Sequence, residues 1–377
     1  MTRYLLFAAL ALNLGACVSK TVGEFKPPEK LTGDTVTVLT FNVENLFDLE
    51  DDPDKNDEAF LPPNLKANAG FENRCRAQNS GRYMYECLEK TWTRNLLDRK
   101  MKRLTDVLAQ VGDGRGPDIL ILQEIENEKV LREWRDKHLA KMNYQTLVLL
   151  EGPDERGIDT AILSRFPQID TAKLHFIDFK KDEAVVKVAA DSGREIRDSR
   201  SILEARLRLP NDQRLAVFAV HFPSQGANTA FRKYAMQTLL DVTAAVPAGT
   251  EVIVGGDFNI TSREDWDKKY FKTMAAPRFT VSHMVGCHEC TGTTYFPPDG
   301  TWSFFDVLLF SKGLSEGSSG YQLDKGSIRT VNSSVYQMNR FGTPARFGNG
   351  NGATGVSDHW PMYAELKLMP LQKVGAK

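Results

Sequence analysis

The sequence predicts an α+β fold, with stacked β-sheets flanked by helices in one domain. Three observations carry this. Short apolar, strand-like runs recur from residue 36 to residue 368, most of them separated by helices or long loops. Only a few segments have helical spacing. No internal repeat with a period of about 20–50 residues is present, so a solenoid or propeller is not expected.

The elements follow in chain order. "MTRYLLFAALALNLGAC" has one early cation, Arg3, a short apolar run and small residues before Cys17. The run is too short to span a bilayer as a helix and has the proportions of a signal peptide. Leu14-Gly15-Ala16-Cys17 resembles the bacterial lipobox, which implies a lipid-modified Cys17 anchoring the mature protein outside the cytoplasm. Val18 is not the Asp that signals inner-membrane retention, so anchoring to the outer membrane is expected, on its periplasmic side or at the cell surface. Residues 18–34, polar with a Pro pair, are expected to be a linker, and residues 35–370 the domain.

The folded part opens with the strand "VTVLTF". The acidic stretch 48–58 lacks the spacing of an EF-hand and is expected to be a solvated loop, followed by a polar insertion to about residue 90. "RNLLDRKMKRLTDVLAQV" is a helix, with Leu97, Met101, Leu104, Leu108 and Val111 on one face. Further strands are expected at "DILILQE", "YQTLVLL", "DTAILS", "SILEARLRL", "LAVFAV", "EVIVGG", "FDVLLFS" and "MYAELKL", with helices over Lys129 to Leu139 and Thr229 to Ala245. Residues 315–355, rich in Gly, Ser and Asn, are expected to be surface loops.

Hydrophobic residues make up 41% of the chain, enough for a sizeable core, and 48 Lys and Arg against 49 Asp and Glu leave a net charge of −1. That balance argues against broad nonspecific binding of nucleic acid, although a locally basic cleft is compatible with it. The chain is expected to act as a monomer. With Cys17 set aside, four cysteines remain, and export favours disulfides in one of three connectivities. Sequence proximity favours Cys75–Cys87 and Cys287–Cys290. The rival zinc set of His283, Cys287, His288 and Cys290 fits no standard structural spacing.

Several strands end in compact polar groups: Asn42 with Glu44 nearby, Gln123-Glu124, His221 and Asp257-Phe258-Asn259. Asp306 opens a strand, and Asp358-His359 stand just before the last one. Any one of these could be turn chemistry, but strand ends are also where sheet scaffolds display binding and catalytic groups. As a set, Glu124 and Asp358, with Asn42, are hard oxygen ligands for Mg²⁺ or Mn²⁺. His221 and His359 supply acid–base capacity. Asp257 can orient a water, and Asn259 can donate to an anionic oxygen. Gly255 and Gly256 are expected to give the tight turn that delivers them. The inventory fits metal-assisted hydrolysis of a phosphoester.

"TFNVENLFD", "ILQEIEN", "VHFPS", "VGGDFNI", "FFDVLLFS" and "GVSDHWPM" occur in the order of the motifs of the endonuclease/exonuclease/phosphatase superfamily, which the chain resembles over nearly the whole mature length. The resemblance implies a four-layer α/β/β/α sandwich of two mostly antiparallel sheets, like that of the secreted deoxyribonucleases. It also implies a Mg²⁺-dependent phosphoesterase, nuclease-like on a phosphodiester such as nucleic acid or, as the alternative, a phosphatase or a sphingomyelinase-like phospholipid phosphodiesterase. Asn42, Glu124 and Asp358 match the metal-binding residues, Asp257 the water-orienting Asp, and Asn259 its transition-state-stabilising partner. His359 matches the His on the scissile phosphate, Asp306 its paired Asp, and His221 the additional His of the nuclease and sphingomyelinase branches. Arg200 resembles a phosphate-contacting Arg, with Arg197 close enough to compete for the role, and Asp159 is a substrate-side candidate. His138, His175, His283 and His288 match no motif and are expected on the surface or in loops. Trp302 is expected either behind the site or in the core.

Overall fold

Two six-stranded mixed sheets pack face to face in the computed structural model, which describes residues 33–369 apart from 53, 198–199, 318 and 349–354. The signal peptide, Cys17 and the linker up to residue 32 lie outside the described residues. The strands are β1 (Thr35–Leu46), β2 (Ile119–Ile125), β3 (Thr146–Leu149), β4 (Asp159–Ser164), β5 (Lys173–Phe176), β6 (Ser201–Arg208) and β7 (Arg214–His221). They continue as β8 (Thr250–Asp257), β9 (Phe279–Val281), β10 (Thr294–Phe296), β11 (Thr301–Ser303), β12 (Asp306–Ser311), β13 (Gly320–Thr330) and β14 (Met362–Met369). One sheet has the order β13-β14-β1-β2-β4-β3 and the other β5-β6-β7-β8-β12-β9, while β10 and β11 form a separate hairpin.

Each large sheet contains one parallel pair, β1–β2 and β7–β8. A parallel pair needs a long crossover, and a helix supplies it in both cases. Arg94–Leu108 lies between β1 and β2, and Thr229–Ala244 between β7 and β8. The alternation of side chains along a strand then divides the core. Leu39 and Phe41 of β1 pack with Leu97, Met101 and Leu104 of the first helix. Phe218 and Val220 of β7 pack with Ala235, Met236 and Leu239 of the second. The layers are therefore helix, sheet, sheet, helix.

Several expectations need correction. Within the stretch read as surface loops, Gly320–Thr330 is an eleven-residue edge strand, because Tyr321 and Leu323 alternate apolar and bury against β14. The polar insertion is built of short helices, Pro63–Lys66, Phe71–Gln78 and Gly81–Glu89, stapled by Cys75–Cys87 over a small core that includes Phe71. The acidic loop is not simply solvated: Asp48, Asp57 and Glu58 are buried, and Glu126 is buried with its carboxylate accepting the Asp48 N–H at 2.6 Å. The strand β5 and the helix Glu183–Ser192 escaped the sequence reading. Cys287–Cys290 is also a disulfide, which removes both thiols from the rival zinc set. Of the four unassigned histidines, His283 lies half-buried in the short helix Ser282–Val285, where it stacks on Phe304 and meets Phe271 edge-on, each at 4.9 Å between ring centres.

Candidate active site

β7, β8 and β12 are neighbours, and their register puts three of the expected residues on one rung. Asp257, the last residue of β8, lies opposite His221 of β7 on one side and Asp306 of β12 on the other. Directly opposed residues share a face of the sheet, so the three polar groups converge. The other sheet meets them with Asn42 of β1 and Glu124 of β2, and the segment leading into β14 brings Asp358 and His359.

Hydrogen bonds tie the two sheets together. The Asn42 amide donates to Asp257 Oδ2 at 3.0 Å and to Glu124 Oε1 at 3.3 Å. Its carbonyl accepts the Glu44 N–H at 3.0 Å, so Asn42 aligns two carboxylates across the cleft. Asp257 Oδ1 accepts the Asn259 N–H at 2.8 Å, and the Asn259 side chain donates to the Phe222 carbonyl at 3.1 Å. His359 Nδ1 meets Asp306 Oδ2 at 2.7 Å, and its Nε2 lies 4.0 Å from both Asp257 Oδ2 and Asp358 Oδ1. His221 Nε2 lies 3.5 Å from Asp257 Oδ2 and 3.9 Å from Glu124 Oε1.

The backbone is held in unusual conformations here. Glu124, with φ 66°, sits where the β2 pairing shifts register, and Glu44 (φ 53°) and Asn45 (φ 64°) sit at the equivalent shift in β1. Asn259 also has φ 51°. Left-handed backbone is costly for residues with a Cβ, about 1–3 kcal/mol each, and bulges re-aim side chains beside active sites. The paired glycines act differently from expectation. β8 runs on through both of them to Asp257 instead of turning. A Cβ on Gly255 would stand 2.6 Å from Ile121 Cδ1 and 3.3 Å from Thr40 Cβ of the facing sheet, and one on Gly256 would strike the Val220 carbonyl. Gly255 thus lets the layers close beneath the site, and Gly256 lets β7 and β8 pair there.

The two histidines are pushed apart electrostatically. Burial pulls His359 down, but Asp306, and then Asp257 and Asp358, outweigh it and hold its pKa well above the ordinary histidine value. Burial, reinforced by Arg200 and Arg156, keeps His221 well below that value. Burial raises Asp257 to about 7, opposed by His359. Near neutrality the cleft thus holds one imidazolium, one neutral imidazole and a carboxyl poised to exchange a proton, the pattern of divided acid–base roles.

Arg200 is buried in an ion pair with Asp154 and lines a small cavity beside His221, whereas Arg197 lies exposed against Glu155. Asp159 is buried and accepts the Gly152 N–H at 2.9 Å. Trp302 packs between the rings of Tyr295 and Trp360, with centres at 5.2 and 5.0 Å. Other participants went unnoticed in the sequence. Arg346 donates to Asp358 Oδ2 from Nε at 3.0 Å and lies 3.4 Å from Glu44 Oε1. Lys100 is fully buried and donates to the Val356 and Glu44 carbonyls at 2.6 and 3.1 Å, tying the segment before Asp358 to β1. Arg346 stands in a Gly/Asn-rich stretch and Lys100 in an ordinary basic helix, so neither carries a local signal.

Glu124 and Asp358 present the carboxylate oxygens of the cleft. Among the described residues, no group of three or more His, Cys, Asp or Glu side chains is gathered into a cage for a metal ion. Such a donor set fits a hard cation that keeps several waters and takes one or two protein carboxylates plus phosphate oxygens, as Mg²⁺ does.

A model of the Endonuclease/Exonuclease/phosphatase family matches residues 37–368. No curated protein matches the chain in sequence. Among solved structures, a humanised D. rerio TDP2 superposes with a TM-score of 0.53 at 14% identity, over 88% of this chain and 99% of that one. D. rerio TDP2 complexed with a single-strand DNA product gives 0.50 at 14%, over 88% and 99%. A mannosyl-6-phosphatase from Bacteroides thetaiotaomicron gives 0.52 at 14%, likewise over 88% and 99%. At such identities the likeness speaks for the fold, and the family match speaks for descent. With that match spanning the whole sandwich and every motif that builds the cleft, the chain belongs to the endonuclease/exonuclease/phosphatase family, hydrolases of phosphoester bonds.

Proposed function

We propose that the protein is a Mg²⁺-dependent phosphodiesterase, nuclease-like in its chemistry, which cleaves a P–O bond by in-line attack of water. The observation that carries this is the rung His221–Asp257–Asp306, with His359 seated on Asp306 and Glu124 facing it from the other sheet. Mg²⁺, bound through Glu124 and Asp358, would supply polarisation of a phosphoryl oxygen.

The remaining steps belong to the chain's own groups. Asp257 is fixed by Asn259 and Asn42 and has a proton affinity near neutrality, so it orients the water and takes its proton as the new P–O bond forms. His359, held protonated by Asp306, sets a positive N–H against the charge that develops on the phosphoryl oxygens. His221, neutral, directs its Nε2 into the same space. Asn259 uses one amide hydrogen on Phe222, and an amide nitrogen has a second for the substrate. As the P–O bond to the leaving group breaks, the developing charge on that oxygen falls within reach of the same donors.

The test is a Mg²⁺- and EDTA-controlled panel of DNA, RNA, bis-p-nitrophenyl phosphate, phosphomonoesters and phospholipids. Diester turnover that needs Mg²⁺ is expected. Turnover of monoesters alone would overturn the diester reading, and unchanged turnover in Asp257→Ala would overturn the site.

The same reading includes a lipid anchor at Cys17 and a site of action outside the cytoplasm, at the outer membrane. Its support is the leader sequence and the two disulfides, which belong to oxidising compartments. Labelling with a radioactive fatty acid should mark the wild type, and Cys17→Ser should abolish both the label and membrane sedimentation.

A further inference from the structure

The helical insertion after β1 carries several cations whose charge is already spent. Lys66 donates to the Cys87 carbonyl at 2.9 Å and also to the carbonyls of Ala59 and Lys90. Arg74 pairs with Glu58 at 2.8 Å and Arg76 with Glu72 at 2.6 Å. Lys90, which follows the helix Gly81–Glu89, is different. It is half-buried, and among the described residues its ammonium has no hydrogen-bond or ion-pair partner. It stands over the face of Phe60, 3.8 Å from the ring centre, a contact that leaves its N–H donors unused.

Phe60 belongs to an aromatic wall that leads to the cleft. It meets Trp92 at 5.5 Å between ring centres, and Trp92 meets Phe347 at 6.0 Å. The Phe347 N–H donates to Glu44 Oε2 at 3.0 Å, and its neighbour Arg346 lies on Asp358 and Glu44. Burial lowers the pKa of Lys90, and the charges that then act on it are Glu44, Glu86, Arg346 and Glu124. Lys90 and Arg346 therefore flank one edge of the cleft, and Lys90 pairs with neither Glu44 nor Glu124. An ammonium drawn out of water without a counter-ion is unfavourable, and an anionic group would complete its surroundings.

We propose that Lys90 is a substrate-binding residue that takes a second, uncleaved phosphate of a nucleic-acid chain, next to the phosphate under attack. The scissile group is served by His359 and Asn259, and Lys90 contacts neither, so its anion lies further along the substrate. A polynucleotide carries a phosphate there, whereas a simple diester or a phosphomonoester does not. A cation at this edge also repels a quaternary-ammonium head group, which disfavours a choline phospholipid. The proposal rests on the phosphodiesterase reading and narrows its substrate to a polyanionic chain.

Initial rates of the full-length protein with Mg²⁺ test this. Lys90→Met keeps an apolar stem over Phe60 and removes the charge. It should raise KM for a short single-stranded DNA about tenfold at nearly the wild-type kcat, the usual cost of one charged hydrogen bond. The rise for bis-p-nitrophenyl phosphate, which has one phosphate, should be much smaller. The salt dependence of log KM for the DNA should lose about 0.7 of its slope, the share of one phosphate on a single strand. Lys90→Arg should restore both. Equal rises on the two substrates, or an unchanged salt slope, would overturn the proposal. Should Lys90→Met not fold, Lys90→Gln takes its place, and failure of both would also overturn it, because a cation kept for the substrate is dispensable to the fold. If the wild type turns over no diester, binding of fluorescein-labelled DNA with Mg²⁺ decides. A Lys90-dependent salt slope would then sink the phosphodiesterase reading and leave the anion site standing, and its absence would sink both.

Discussion

Asp306 is fully buried, and in the proposed chemistry its part runs through His359, whose Nδ1 it meets. Without it, only Asp257 and Asp358 would oppose the burial of His359, and the proposed positive donor would be held less firmly. Asp306→Asn, nearly the same shape, should therefore lower kcat about tenfold to a hundredfold while the far-UV spectrum is unchanged. His359→Ala, which removes the donor itself, should cost about a hundredfold to a thousandfold. Initial rates on one diester, with folding checked by circular dichroism, would decide both. Activity close to wild type in Asp306→Asn would mean that His359 does not work as an imidazolium. The left-handed backbone at Glu124 and Asn259 belongs to this scale too. At Glu124 it is held by the pairing of β2 with β1 and β4, and at Asn259 by the hydrogen bonds to Asp257 and to the Phe222 carbonyl.

At the scale of elements, β8 is the strand on which the site depends. Its Gly255 gives the facing sheet space, so Gly255→Ala should overpack Ile121 and Thr40 and cost about 1–3 kcal/mol, seen as a lower denaturation midpoint with an unchanged slope. The three helices after β1 are a different case. They bury little beyond Phe71, Cys75 and Cys87, so the disulfide carries much of their order. Replacing Cys75 and Cys87 together with Ser should cost about 2–4 kcal/mol, or melt this segment alone, and hydrogen exchange would separate the two outcomes. Equal protection with and without the bridge would show that the segment orders itself.

Over the whole molecule, charge is balanced at −1, so any nucleic-acid substrate has to be held by the cleft and not by a basic surface. Binding should then depend only weakly on salt, with few phosphates neutralised. Stability should depend on pH through the buried acidic loop. Burial pushes Asp57 from 3.8 to about 7. The folded chain keeps a proton there that the unfolded chain releases above about pH 4. This group's contribution to stability is complete at acid pH and is lost as pH rises through about 7. Asp57→Asn should flatten that part of the curve in urea titrations, and an unchanged curve would show that Asp57 is ionised in the fold.

The apolar runs from "VTVLTF" to "MYAELKL" were sufficient to predict nine of the twelve strands of the two sheets, all but β5, β9 and β13, because burial on both faces leaves a signal in every residue. The polar groups at their ends were legible for a related reason: Asp257, Asn259 and His359 interrupt strongly apolar sequence, and their motifs are local. Gly320–Thr330 was hidden by its Gly- and Ser-rich flanks, since an edge strand buries only one side. Arg346, Lys100 and the burial of Asp57 could not be read, because each depends on a neighbour far away in sequence, Arg346 on Glu44 and Lys100 on Val356. The glycines of β8 were legible as residues but not in purpose, because the facing sheet that needs the space at Gly255 and the strand β7 that needs it at Gly256 come together only by folding.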